Sequence, residues 1–227
     1  ITTAWTRLYP GARGGKWSMI LLAEQEGSIC MEYKAAAYTR DGRAVVSLPP
    51  EEYTGYILPM GYTTDGCYAV YFTESADGWQ IGIHKTALAA PITHTPEEYD
   101  FPDKLYEPYW EKAEAYGIFS DAGELIGAIE ICAEEWSHRM RVTELWVSPA
   151  YHKRGYGHTL LSLAKERAQT SGCRALILET QSCNVNAVDF YRHEGLSLIG
   201  FDRICYSNRD IVRNEVRLEM GILFDEK

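Results

Sequence analysis

Leu145-Trp146-Val147-Ser148-Pro149-Ala150-Tyr151-His152-Lys153-Arg154-Gly155-Tyr156-Gly157-His158 is the stretch whose reading decides the fold. An apolar run ends at Ser148-Pro149, and a glycine-punctuated turn then opens a helix. The two glycines let the backbone approach a ligand closely with its N–H groups turned outward. The helix start adds a positive partial charge, and Lys153 and Arg154 add full ones. Such a turn is a cradle for a pyrophosphate. A dinucleotide fingerprint would need a third glycine and an acid about 20 residues on, and a P-loop would need G-x-x-x-x-G-K-[ST]; neither is present.

Downstream, Leu160, Leu161, Ala164 and Ala168 place an apolar stripe at helical spacing over about 157–169, and Ser171-Gly172 ends it. Ala175-Leu176-Ile177-Leu178-Glu179-Thr180 reads as a buried strand. A short helix follows over about 185–194, stopped by Gly195, and two closing strands lie near 196–206 and 215–224. Upstream, 141–147 is a strand, and 116–119 with 125–131 form a hairpin around Asp121-Ala122-Gly123. Tyr68-Ala69-Val70-Tyr71-Phe72 and Trp79-Gln80-Ile81-Gly82-Ile83 are two further strands. This order makes a mixed α/β sheet. In residues 1–66 short apolar runs, such as Met19-Ile20-Leu21-Leu22 and Ala44-Val45-Val46, alternate with turn signals at Asp41-Gly42, Pro49-Pro50 and Asp65-Gly66. Short strands fit that pattern better than long helices.

Two elements resemble the GNAT N-acetyltransferases. The acetyl-CoA signature of that family, [Q/R]-x-x-G-x-[G/A], reads His152-Lys153-Arg154-Gly155-Tyr156-Gly157, with His152 departing from the usual Gln or Arg. The second element, N-x-x-A-x-x-[FL]-Y followed by a glycine, reads Asn184-Val185-Asn186-Ala187-Val188-Asp189-Phe190-Tyr191, then Gly195. The resemblance covers roughly 68–227. Within the family it is nearest to the streptothricin acetyltransferases, through Tyr116-Gly117, the run 124–130, Leu178-Glu179-Thr180-Gln181-Ser182-Cys183-Asn184, Tyr206-Ser207-Asn208 and Asn214-Glu215.

The resemblance implies a GNAT fold: a mixed, mostly antiparallel twisted sheet flanked by helices, here with an N-terminal β-rich extension. It divides the chain into an extension, 1–66, and an acetyltransferase domain, 67–227. It implies acetyl-CoA as co-substrate and no metal. Tyr191 is then the general acid beside the thioester sulfur; packing against Phe190 would equally explain it. Asn184 lies near the cofactor arm, or simply caps the helix. Leu145, Trp146 and Val147 offer backbone groups to the pantetheine amides, although Trp146 reads equally as core. Lys153, Arg154, Gly155, Tyr156, Gly157 and His158 form the phosphate cradle.

Amine acetylation also needs a base, because an alkyl ammonium has a pKa of about 10.4. Glu130 and Glu144 are both acids within apolar strands, where burial would raise their proton affinity. Strand alternation could instead put each on a polar face.

Composition bounds the partners. The chain has 227 residues, 46% hydrophobic and 24% charged, enough for a packed core. Its net charge is -10, from 22 Lys+Arg against 32 Asp+Glu, which disfavours nucleic acid. No apolar run reaches the roughly 18 residues of a membrane span. Ile1-Thr2-Thr3-Ala4-Trp5 has neither the basic flank nor the apolar core of a signal peptide, and the missing Met implies a natural start upstream. The six cysteines, Cys30, Cys67, Cys132, Cys173, Cys183 and Cys205, fit neither a zinc site nor a disulfide framework; they read as reduced thiols in a cytoplasmic protein.

Residues 97–114 hold seven acids, Glu97, Glu98, Asp100, Asp103, Glu107, Glu111 and Glu114, against Lys104 and Lys112. Tyr99, Phe101, Tyr106, Tyr109 and Trp110 lie among them. The stretch is either a solvated loop and helix face or a mouth for a cation. Together with this charge, the resemblance to the streptothricin acetyltransferases implies a small cationic amine as partner, streptothricin foremost, with a polyamine, an aminoglycoside or a protein N-terminus as alternatives. A non-catalytic CoA-binding module is the reading from another class, and a homodimer is compatible with any of these.

Overall fold

The structure, a computed structural model, describes residues 34–98 and 102–224 together with the backbone of 9–10 and 17–18. Met19-Ile20-Leu21-Leu22, Cys30, Tyr99, Asp100 and Phe101 lie outside the described residues. The short strands β1 (Tyr9–Pro10) and β2 (Trp17–Ser18) pair antiparallel. The chain divides into two compact units, residues 1–56, 104–132 and 143–167, and residues 57–103, 133–142 and 168–227.

The first unit holds β3 (Ala37–Tyr38), β4 (Ala44–Leu48), α1 (Pro50–Tyr53), β7 (Glu114–Phe119), most of β8 (Leu125–Glu134), the end of β9 (Arg139–Val147) and most of α2 (Tyr156–Thr170). Its strands run in the order β3-β4-β7-β8-β9. The expected hairpin is β7–β8, antiparallel, with Gly117 opposite Ala128. β4 pairs antiparallel with β7, Val45 opposite Ile118, so residues before 67 contribute to this unit's sheet. Val45, Leu48, Ile118, Ile129, Leu160, Leu161 and Ala164 are fully buried, at 0–1% exposure. The helical stripe therefore covers the sheet, as its spacing requires. Burying each such aliphatic side chain contributes about 1.5–3 kcal/mol. Gly127 allows this approach: a Cβ there would sit 3.4 Å from Leu160 Cδ1.

The second unit holds β5 (Tyr62–Ser75), β6 (Gly78–His94), the start of β9, β10 (Ala175–Gln181), α3 (Val185–His193), β11 (Ser197–Asp202), α4 (Asp210–Arg213) and β12 (Arg217–Leu223). β5 and β6 form one long antiparallel hairpin that contains both strands expected at 68–72 and 79–83. The remaining order is β9-β10-β12-β11. β10 runs parallel to β9 over Arg139–Arg141 and antiparallel to β12, which makes the sheet mixed. Ala175, Leu176, Ile177 and Leu178 are all buried, the continuous apolar run of a strand covered on both faces. Tyr68 and Val70 of the hairpin pack with Val185 and Val188 of α3 and with Val216 and Leu218.

Four local expectations are corrected. Asp65-Gly66 does not turn the chain but sits in β5 at an irregularity in the pairing between Thr64 and Gly66, where the Gly66 N–H donates to Thr64 Oγ1. Pro49-Pro50 starts the one-turn helix α1, because proline's fixed φ suits a first helical position. No α-helix forms among the described residues of 97–114; Pro96–Glu98 is a 3-10 turn, and between residue 102 and β7 the chain runs mainly through turns. The closing strand expected at 196–206 is only β11, and α4, unread in the sequence, follows it.

Candidate active site

The residues expected to act fall in both units. Glu130, Glu144, Leu145, Trp146, Val147 and the turn 153–158 belong to the first; Asn184 and Tyr191 belong to the second.

In the first unit, β9 ends at Val147 and the 3-10 turn Pro149–Tyr151 leads into the glycine-bearing turn. Lys153 and Gly155 both have positive φ, 60° and 85°. Gly155 needs no side chain to tolerate this, whereas Lys153 holds a left-handed conformation at some cost. These two reversals aim the chain into α2, whose first amides have no intrahelical acceptor. Its first backbone bond runs from the Thr159 N–H to the Gly155 carbonyl, 3.0 Å. Lys153 and Arg154 are exposed, and the Arg154 guanidinium lies 4.9 Å from the centre of the Tyr151 ring. His152 lies within hydrogen-bond distance of the Val147 carbonyl, Nε2···O 2.8 Å, so it braces the strand end.

Tyr156 differs from its neighbours. Its side chain is buried, 1% exposed, and its hydroxyl donates to Asp41 Oδ2 at 2.7 Å while accepting from Arg43 Nε at 3.1 Å. Arg43 also donates from both terminal nitrogens to Asp121, at 2.8 and 3.1 Å. The Asp121 hydrogen bond leads the effects that raise the Arg43 pKa well above the ordinary range. For Asp41, burial is outweighed by hydrogen bonds from Thr39 and Tyr156, which lower its carboxyl below the usual range. Only the backbone of Tyr156 is therefore available to a ligand. The turn between β3 and β4 holds its ring from below, a role with no sequence signal beyond Asp41-Gly42.

The two candidate bases are distinguished by their surroundings. Glu130 is 0% exposed; Thr143 Oγ1 donates to its Oε1 at 2.7 Å and the Tyr106 N–H to its Oε2 at 2.5 Å. Burial raises its pKa above the ordinary glutamate range, against the lowering effect of these two bonds. Glu107 adds a repulsive charge in the same direction. Tyr106 is itself held at φ 59°, its hydroxyl donating to the Leu48 carbonyl at 2.5 Å and accepting from the Ala115 N–H at 3.0 Å. Part of the acidic, aromatic stretch thus closes over Glu130. Glu114, also from that stretch, accepts from Arg167 and from the Tyr116 hydroxyl, each at 2.5 Å. Glu144 is half-buried. Because Thr143 reaches Glu130, the next residue along the strand points to the opposite face. The sequence could not assign these faces.

A pH prediction arises from Glu130. Its raised folded-state pKa is a stabilising contribution fully present below the unfolded value, about 4.3, and lost as pH rises through the folded value. Glu130→Gln removes that dependence. Unfolding free energies from urea titrations should shift in favour of the Gln variant as pH rises above about 4.3, on top of a constant offset from the amide's mismatched donor. A difference that stays flat with pH would refute the assignment.

In the second unit, Asn184 caps α3: the Ala187 N–H donates to its Oδ1 at 3.2 Å. Val185, Val188 and Tyr191 form the buried face of α3, with Tyr191 8% exposed and its ring centre 5.4 Å from that of Phe190. Asn184 and Tyr191, seven residues apart, share a helix face. Beside the cap, Cys183 is fully buried with its sulfur 3.1 Å from the Tyr62 hydroxyl oxygen, and burial pushes its thiol pKa up. A nucleophilic thiol needs the opposite shift. Among the described residues no group of three His, Cys, Asp or Glu could hold a metal.

The sequence model of the acetyltransferase (GNAT) family matches residues 86–195, from the second strand of the hairpin to the end of α3. That segment, just under half of the chain, resembles the GNAT family in sequence. Curated relatives carry the resemblance to the streptothricin acetyltransferases. One from Escherichia coli is 33% identical over 108 residues, 48% of this chain and 61% of its own. One from Bacillus subtilis (strain 168), streptothricin acetyltransferase A, is 29% identical over 112 residues, 49% of this chain and 64% of its own. The chain thus spans less than two thirds of the length of the curated relatives it matches. Among solved structures, that of nourseothricin acetyltransferase superposes with a TM-score of 0.60 at 23% identity, covering 79% of this chain and 96% of the other. A protein of Bacillus anthracis str. Ames, solved in complex with acetyl coenzyme A, gives a TM-score of 0.59 at 21% identity over 80% of this chain and 97% of the other. The GNAT fold expected from the sequence is the fold observed.

Proposed function

We propose that this chain transfers the acetyl group of acetyl-CoA to a primary amine of a small cationic acceptor, streptothricin ahead of a polyamine, an aminoglycoside or a protein N-terminus. The observation that carries the reading is the turn 153–158. Two positive-φ residues and two glycines open a 15-residue helix there, with the cations Lys153 and Arg154 exposed. Backbone amides at such a turn bind phosphate without any particular side chain, which is why His152 can replace Gln or Arg.

In this reading the amine nitrogen attacks the thioester carbonyl carbon, the C–S bond breaks, and the CoA thiolate leaves. That thiolate has a basicity near pKa 8.5 by analogy with cysteine, so it gains from a proton donor, and Tyr191 supplies the proton. Before the attack Glu130 takes one proton from the ammonium, which frees the nitrogen lone pair, and the second proton that the nitrogen sheds on becoming an amide returns to Tyr191. The support for Glu130 is the raised proton affinity of the buried carboxyl and its contact with the acidic, aromatic stretch. Glu144, on the opposite face of the strand, is the alternative. Leu145, Trp146 and Val147 offer their backbone to the pantetheine arm, and Asn184 sets the start of the helix that carries Tyr191. Residues 67–227 form the acetyltransferase domain, and the extension before them supports it through β3 and β4.

The acceptor reading rests on the relatives named as streptothricin acetyltransferases and on the net charge of -10. Incubation with acetyl-CoA and streptothricin should release thiol and yield a product of acetylated mass, ahead of spermidine or an aminoglycoside. The value of kcat/KM should fall as salt rises, because the screening length shrinks from about 10 Å at 0.1 M to about 3 Å at 1 M. Turnover of another amine with no acetylated streptothricin would remove this acceptor and leave the acetyl transfer standing.

A further inference from the structure

We propose that Arg40, in the turn between β3 and β4 and outside the segment that matches the family model, is a phosphate-binding residue of the acetyl-CoA site. The inference rests on the reading of the 153–158 turn as that site and extends it.

Three observations converge on Arg40. The first is position. A Cβ built on Gly155 would lie 3.7 Å from Arg40 Cδ and 3.9 Å from its Nε. The guanidinium stem therefore passes over the glycine that the backbone cradle requires. The second is charge. Arg40 is exposed, and among the described residues no carboxylate pairs with it. Lys153 and Arg154, equally exposed, have no carboxylate partner there either, although Arg154 rests on the Tyr151 ring. In a chain with net charge -10, three cations gather around one helix start with no ion pair of their own among the described residues, and an anion in their midst relieves their mutual repulsion.

The third is the latch that holds the turn. Asp41 and Arg43, on either side of Gly42, both bond the Tyr156 hydroxyl, and Arg43 is spent on Asp121. Thr39, 5% exposed, ties the base of the turn: its N–H donates to the Arg43 carbonyl at 2.9 Å, and its Oγ1 accepts from the Arg43 N–H at 2.8 Å. Asp41 and Arg43 are thus paired with each other and fixed, and Arg40 is the charged residue of this turn with no ion-pair partner among the described residues. The arrangement separates a structural pair from a binding cation. An arginine suits the task, since its planar fork matches a phosphate bidentately.

The test is calorimetric binding of acetyl-CoA to the unchanged chain, to Arg40→Met and to Arg40→Lys, at several salt concentrations. Arg40→Met should raise Kd about five- to tenfold and flatten its dependence on salt, because one ionic contact is lost. Arg40→Lys should recover most of the affinity and the salt dependence. An exposed side chain has little bearing on folding, so thermal melts of all three should coincide. Equal affinity of Arg40→Met and the unchanged chain would overturn the inference. So would equal weakening of the Met and Lys variants with no change in salt dependence, which is the mark of a packing role. If the unchanged chain binds no acetyl-CoA, the reading of the turn itself fails, and this inference with it.

Discussion

Replacing Tyr191 by Phe is expected to lower kcat by about 10²–10⁴-fold, the usual contribution of a positioned proton donor. KM for acetyl-CoA should hardly change, because the proton is given only as the C–S bond breaks. The fold should survive. Phe keeps the ring that packs beside Phe190 on the buried face of α3, and the helix keeps its Asn184 cap. A second measurement separates proton donation from positioning. An acetyl thioester whose leaving thiol is more acidic needs less help in departing, so the gap between the two enzymes should narrow with it. A Phe variant as active as the unchanged chain would refute the role. A loss that is the same for both thioesters would assign Tyr191 to positioning.

Gly155→Val should raise Kd for acetyl-CoA by at least about tenfold. Its φ of 85° lies where a β-branched residue is strained, by about 1–3 kcal/mol. Space within the protein is not the obstacle, since the nearest atom to a new Cβ would be Arg40 Cδ at 3.7 Å. The obstacle is the branched side chain standing where the backbone must approach a phosphate. A strained protein could also bind poorly by unfolding, and Gly172→Val controls for this. Gly172 has φ 72° with nothing within 4 Å of its Cβ position, just beyond the far end of α2. That variant should lose comparable stability and keep its affinity. Unchanged affinity in a folded Gly155→Val protein would move the cofactor away from this turn.

The sequence by itself determined the local elements and their order. Glycines at 155, 172 and 195, all with positive φ, mark where the chain must turn, and the stripe of α2 and the unbroken apolar run of β10 declare their partners' faces. These signals act over a few residues, so they survive in the sequence as spacing. The two motifs at 152–157 and 184–191 are of the same kind, and they were enough to indicate a GNAT fold.

Tertiary structure alone decided the rest. Glu130 and Glu144 look alike in the sequence because alternation defines two faces without saying what covers either. Only the Tyr106 N–H and Thr143, 24 and 13 residues away, make Glu130 the enclosed acid. Tyr156 reads as part of the cradle, yet its ring belongs to Asp41 and Arg43, 115 and 113 residues earlier. Asp65-Gly66 and Pro49-Pro50 carry turn chemistry that pairing with β6 and a single helical turn absorbed. Apart from Pro49-Pro50, whose helical turn is local, the deciding energy is a hydrogen bond or a burial between segments far apart in the chain. No local pattern encodes such a contact, because it exists only once the strands have paired.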